Sequence, residues 1–253
     1  MLPQDEAFTH HLSLAGRKAL VTGGARRLGR TLVHALVRAG AEVVFSYRHS
    51  AAEACAVVAE IEACGGRVHA IPCELGSEES VGALVAQAAE WLGGLDLLLN
   101  NAGLFTQSPL ESLSVEAWDA VFATNTRAPF LMARAALPWL RKSQGRIVNI
   151  GSLGGSHPWA THAHYCASKA ALEMLTRTMA KAWAPEVSVN CIAPGWIEFD
   201  DDSRERAAHF AAKTPMQRNA RPEELAEAML FFAAGPHYIT GQVLTVDGGL
   251  GLS

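Results

Sequence analysis

Tyr165 and Lys169 stand four residues apart in the stretch YCASK, and that spacing predicts one helix face carrying both side chains. A phenol beside an ammonium group is a proton-transfer pair. Tyrosine has a reference pKa of about 10, and bringing it down about three units takes on the order of 4 kcal/mol of preferential phenolate stabilisation. Lys169 supplies a positive charge for that purpose. Ser152, thirteen residues before Tyr165, adds a hydroxyl at the end of an apolar run. This set suits delivery of a proton to the atom that becomes anionic when a C=O or C=N carbon accepts a hydride.

Short apolar runs must position these groups. KALVTG (18–23), AEVVFSY (41–47), RVHAIPCEL (67–75), LDLLLNNAG (95–103), GRIVNIGS (145–152), VSVNCIA (187–193) and QVLTVDGG (242–249) read as strands covered on both faces. Helical patterns fall between them, at 27–40, 51–64, 78–93, 115–141, 163–183 and 222–234. The alternation predicts a single α/β domain over 1–253, a doubly wound Rossmann sheet of about seven parallel strands with helices on both faces. Residues 1–15 read as an N-terminal extension. The polar stretch 196–220 breaks the rhythm and is expected to be a long irregular lid over a substrate, or else a surface excursion.

The first strand-to-helix junction, TGGARRLGR (22–30), brings Gly23, Gly24 and Gly29 to a helix N-terminus, where backbone N–H groups can receive a pyrophosphate. Arg27 stands where such a loop usually has its middle glycine. The second strand closes with Ser46, Tyr47, Arg48, His49 and Ser50, and no acid follows until Glu53. A carboxylate there would bond both ribose hydroxyls of NAD and repel a 2'-phosphate. Its absence predicts NADP(H), gripped by Arg48, Ser50 and Arg26 or Arg27.

Composition excludes several alternatives. A net charge of −4 gives no electrostatic footprint for nucleic acid or an anionic membrane. No run reaches the roughly 18 apolar residues of a membrane helix. Five scattered cysteines without a C-x-x-C pair read as free thiols, the histidines show no metal-ligand spacing, and the chemistry calls for no metal. A cytoplasmic protein acting on a small molecule is expected.

The motifs TGGARRLG, NNAG (100–103), Asn125 in TNTRAPF, Ser152, Tyr165 with Lys169, and Pro194-Gly195 occur in that order. From about residue 14 to VDGG (246–249) the chain resembles the short-chain dehydrogenase/reductase family. The resemblance implies that Ser152 positions the substrate oxygen, Lys169 also bonds the nicotinamide ribose, and Asn125 holds a water that feeds protons to Lys169. It adds Leu28, Glu74, Leu75, Asn101, Ala102, Gly103, Pro194, Gly195, Trp196 and Ile197 to the cofactor site, and it implies a homotetramer.

Within the family, Arg27 and LGR, SYRHSAAEA, WAPEVSVN and YITGQVLTVDGG resemble the pteridine and dihydromonapterin reductases. That branch implies a pterin or dihydrofolate-like ring stacked on Phe105, which otherwise reads as a packing residue. Trp159, Trp196 and Phe199, with His157 nearby, complete the expected substrate pocket. Asp200, Asp201 and Asp202 would bond the substrate or form a solvated hinge. One departure favours an alternative, a carbonyl reductase of the 3-oxoacyl carrier-protein or small-ketone type: Ser152 replaces the aspartate of the better-known pteridine reductases. A second, the absence from PGWIEFDDD of the threonine usual after Pro-Gly, removes a residue that helps fix the cofactor's carboxamide. A third reading, a non-catalytic NADP(H)-binding sensor, would have no need of the proton-transfer residues.

Overall fold

The computed structural model describes residues 12–252. Nearly all of the 1–15 extension therefore lies outside the described residues. Seven strands form one parallel sheet: β1 (Lys18–Val21), β2 (Glu42–Tyr47), β3 (Val68–Pro72), β4 (Leu97–Asn100), β5 (Arg146–Ile150), β6 (Ser188–Pro194) and β7 (Val243–Val246), in the order β3-β2-β1-β4-β5-β6-β7. The helices are α1 (Arg27–Arg38), α2 (Ala51–Ala63), α3 (Glu78–Leu92), α4 (Val115–Phe122), α5 (Ala128–Ser143), α6 (Ala163–Trp183), α7 (Arg204–Lys213) and α8 (Pro222–Ala234).

The unalternating apolar runs are explained by cover on both faces. Ala19, Val21, Val43, Phe45, Leu97 and Leu99 point into a core shared with Leu32, Leu36, Leu225 and Met229 of α1 and α8. Leu20, Val44, Leu98 and Ile147 point the other way, into a core with Leu84, Met132 and Leu140 of α3 and α5. Successive strand residues face opposite sides, so each side of a strand needs its own helix layer.

The strand order reverses between β1 and β4, and ligands of such sheets bind at that switch, beyond the carboxyl ends of the strands. The chain turns there by close approach. Gly23 takes φ +69°, and a Cβ on Gly29 would lie 2.0 Å from the Gly23 carbonyl oxygen. Any side chain at position 29 would force the loop open.

Two elements depart from the sequence expectation. Residues 196–220 are not an irregular loop: α7 occupies their middle, with the Ser203 hydroxyl accepting from the Arg206 N–H at its start and Ile197 bridging Ala220 across its ends. Helix 115–141 is interrupted at Ala123–Arg127 by a π-helical turn, the kind of bulge that helices form at functional sites.

Candidate active site

The turn after β4 is stitched to the glycine loop. The Thr22 hydroxyl accepts from the backbone N–H of Asn101 (3.0 Å) and Ala102 (3.1 Å), and Asn101 Nδ2 donates to the carbonyls of Thr22 and Gly23 (3.0 Å each). Ser46, expected in the cofactor site, lines the cleft but is buried, and its hydroxyl accepts from Gly23 N–H at 3.3 Å, which shapes the loop. Thr22 carried no sequence signal beyond its place in the motif. A cleft of about 410 Å³ opens between these segments, lined by Gly23, Arg26, Arg27, Leu28 and Gly29, by residues 46–50, by Glu74 and Leu75, and by Asn101 to Gly103. Cys73, Leu104 and Thr124 also line it and were not anticipated.

The cations of this cleft are already paired. Arg26 Nη1 lies 3.9 Å from Glu53, and Arg48 Nη1 lies 3.6 Å from Glu74. Arg27 does not turn toward Arg48 and Ser50 as expected. Its Nη1 donates to both carboxylate oxygens of Asp201 at 2.7 Å, its Nη2 to Asp202 at 3.1 Å, and its guanidinium carbon stands 4.2 Å from the centroid of Phe199. Arg27 also adopts φ +47°, a left-handed conformation that costs a non-glycine residue roughly 1 kcal/mol or more. The side chain's contacts must offset that cost. Phe199 is thus drawn away from the substrate pocket, under Arg27 and against the core shared by α1 and α8.

The proton-transfer residues converge at the ends of β5 and α6. Ser152 is buried at the turn after β5 and accepts from Gly154 N–H at 3.1 Å. Burial pushes the Tyr165 phenol up to about 12, partly offset by its hydrogen bond with Ser152. Burial also holds Lys169 down at about 8, against the raising influence of Cys191 and Glu173. Lys169 is 4% exposed, and its Nζ donates to the Ile150 carbonyl at 2.8 Å and lies 5.8 Å from the Tyr165 ring centroid. The sequence led us to expect a lowered tyrosine. Desolvation of the phenolate outweighs the Ser152 hydrogen bond, so the protein by itself keeps Tyr165 protonated at neutral pH.

Asn125 sits in the π-helical turn with 0% exposure. Its Oδ1 accepts from Leu104 N–H (2.8 Å), and its Nδ2 donates to the Leu104 carbonyl and the Ser168 hydroxyl (3.0 Å each). The side chain clamps the residue before Phe105 to α6. His164, unremarked in the sequence, also anchors this loop: its Nε2 lies 2.7 Å from the Thr106 hydroxyl.

Aromatic rings wall the catalytic end. Phe105 stacks on His162 (4.7 Å, 13°) and meets Tyr165 edge-on (4.7 Å, 80°), while Trp159 lies parallel to Tyr165 (6.0 Å, 8°). His162 already covers one face of Phe105. Trp196 stacks on Phe210 of α7 (4.1 Å, 8°), and His157 is tied to the Gly251 carbonyl at 2.7 Å. Pro194 ends β6, and Gly195 N–H donates to the Val246 carbonyl at 3.0 Å, where a Cβ would collide with Asp247.

A cleft at the switch point with a glycine cradle, and a Ser-Tyr-Lys set beside its Gly103 edge, where a Cβ would lie 3.7 Å from Lys169 Nζ, define a Rossmann-fold oxidoreductase. The cradle fits a dinucleotide, since the glycine loop and the N-terminus of α1 line an open cleft together with residues 46–50 and Asn101 to Gly103. The family model described as "Enoyl-(Acyl carrier protein) reductase" matches residues 23–251. The chain is 39% identical to the rhamnolipids biosynthesis 3-oxoacyl-[acyl-carrier-protein] reductase of Pseudomonas aeruginosa, covering 96% of this chain and 99% of that one. It is 36% identical to the 3-oxoacyl-[acyl-carrier-protein] reductase of Synechocystis, covering 94% and 98% respectively. A gluconate 5-dehydrogenase of Burkholderia cenocepacia, solved in complex with NADP and tartrate, superposes with a TM-score of 0.89 at 30% identity over 96% of this chain and 98% of that one. The protein belongs to the short-chain dehydrogenase/reductase family, whose members are NAD(P)(H)-dependent oxidoreductases. The pteridine-reductase branch expected from the glycine loop is not supported by these relatives.

Proposed function

We propose that this protein is an NADPH-dependent carbonyl reductase acting on a 3-oxoacyl thioester or a comparable small ketone. The observation that carries the reading is the pairing of Ser152 with a protonated Tyr165. Two hydroxyls side by side can both donate to one carbonyl oxygen, whereas a pterin C=N would be served better by an acid at position 152. The names of the relatives support the same direction.

When bound, the reduced nicotinamide supplies the hydride. Ser152 orients the carbonyl oxygen toward Tyr165, and Tyr165 gives its phenolic proton to that oxygen as charge develops. Lys169, held by the Ile150 carbonyl, places an ammonium charge near the phenolate that results. The rings of Phe105, His162 and Trp159 form an apolar wall beside Tyr165, against which a substrate can pack.

The choice of NADPH rests on the absence of a carboxylate among residues 46–50 and on Arg26, Arg48 and the Ser50 hydroxyl, which makes no capping bond. Glu74, beside Arg48, is the group that a 2'-phosphate would have to displace. A cytoplasmic homotetramer is part of this reading. Trp118, Phe130 and Met174 leave apolar surface exposed on α4, α5 and α6, and sedimentation at assay concentration would read the assembly, a monomer being the contrary result. Among the described residues no helix is long and apolar enough to cross a membrane.

The substrate class is tested by NADPH oxidation with acetoacetyl thioesters and with biopterin or dihydrofolate. The expected result is turnover of the thioester and none of the pterins. Turnover confined to the pterins would overturn the carbonyl reading.

A further inference from the structure

The sequence allows the acidic run at 200–202 to be a substrate contact or a solvated hinge, and the structure gives two of its members a different occupation. Asp201 and Asp202 close on Arg27 through three hydrogen bonds of 2.7, 2.7 and 3.1 Å, joining segments 174 and 175 residues apart in sequence. Asp202 also folds its own turn, because its second oxygen accepts from Phe199 N–H at 3.0 Å. Phe199 in turn supports the guanidinium from below. One isolated exposed ion pair contributes little. Here a planar fork meets two carboxylates and a ring together, a geometry that a single mobile pair lacks.

The two ends of this strap are functional. Arg27 opens α1 and lines the dinucleotide cleft. Asp201 and Asp202 lie between Trp196 and α7, in the segment that follows β6. We propose that Asp201 and Asp202 are positioning residues for cofactor retention: by holding Arg27 they fasten the 196–220 segment to the glycine loop, and this strap must open for a dinucleotide to leave. Arg27 thereby acts on both NADPH and NADH, because its charge is committed to the carboxylates rather than to a 2'-phosphate. The inference rests on the cleft being the NAD(P)(H) site.

The test is stopped-flow displacement of NADPH and of NADH from the full-length protein, comparing wild type with the Asp201→Asn/Asp202→Asn double variant. The expected result is a dissociation rate raised about tenfold for both dinucleotides, with a much smaller change in association. Arg27→Lys, which keeps the charge and loses the fork, is expected to fall between the two. Salt should accelerate release from wild type more than from the double variant, in which only the contacts of the dinucleotide's own phosphates remain to be screened. Dissociation rates unchanged in both variants, or faster release of NADPH alone, would overturn the strap. A wild-type protein that binds neither dinucleotide would overturn the cleft assignment instead.

Discussion

Lys169 and Tyr165 are shifted in opposite directions by one cause, burial, and this sets the pH dependence. Tyr165, pushed up to about 12, stays protonated across the range in which enzymes are assayed and is ready to act as an acid. Lys169, held at about 8, carries its charge below that pH and loses it above. Reduction is therefore expected to fall about tenfold per pH unit above pH 8. Lys169→Arg retains a charge that does not titrate in that range, so the alkaline limb should move upward in this variant even where its overall rate is lower. An unmoved limb would assign that ionisation to another group. The identities of Ser152, Tyr165 and Lys169 were legible as chemistry from type and spacing. Their protonation was not, because it depends on desolvation by residues distant in sequence.

At the scale of elements, the site is a set of strand ends and one helix held in register by buried polar ties. Asn100 Nδ2 donates to Asn149 Oδ1 and Asn149 Nδ2 to the Thr176 hydroxyl, both at 2.8 Å, linking β4, β5 and α6 behind the catalytic residues. Asn125 does the same for the loop before Phe105. Asn125→Ala would strand the Leu104 N–H and carbonyl, while the Ser168 hydroxyl keeps its bond to the Tyr165 carbonyl, and each unmade buried bond costs about 1–3 kcal/mol. The expected outcome is a lower melting temperature and kcat reduced about 10- to 100-fold, with NADPH affinity nearly unchanged. A kcat equal to wild type would show that the clamp is dispensable. The five inner strands were readable because a sheet covered on both faces writes uninterrupted apolar runs, while the edge strands β3 and β7 are partly exposed and were read from their place in the alternation. α7 was missed since RERAAHFAAK buries only Ala207 and presents no apolar stripe, although Ser203 offered a capping signal. The π-helical turn left no trace in the periodicity, since one extra residue per turn barely alters the apolar pattern around Asn125.

Over the whole molecule, one sheet with its switch between β1 and β4 gathers the glycine loop, the NNAG turn, the Ser152 turn and the start of α6 at one edge. The grouping follows from parallel topology, which sends every strand's carboxyl end the same way. What topology could not state was the partner of Arg27, because the loop and the lid meet only in three dimensions. The pteridine branch, read from local resemblance around Arg27, is not supported by the relatives, and the Arg27 side chain is engaged with the lid. The central claim is that Tyr165 donates the proton in an NADPH-dependent carbonyl reduction. The direct measurement is single-turnover oxidation of bound NADPH by an acetoacetyl thioester in wild type and Tyr165→Phe, with NADPH affinity measured on both. The account predicts equal affinity and a rate at least about a thousandfold lower in the variant. A Tyr165→Phe protein that oxidised NADPH at the wild-type rate would contradict it.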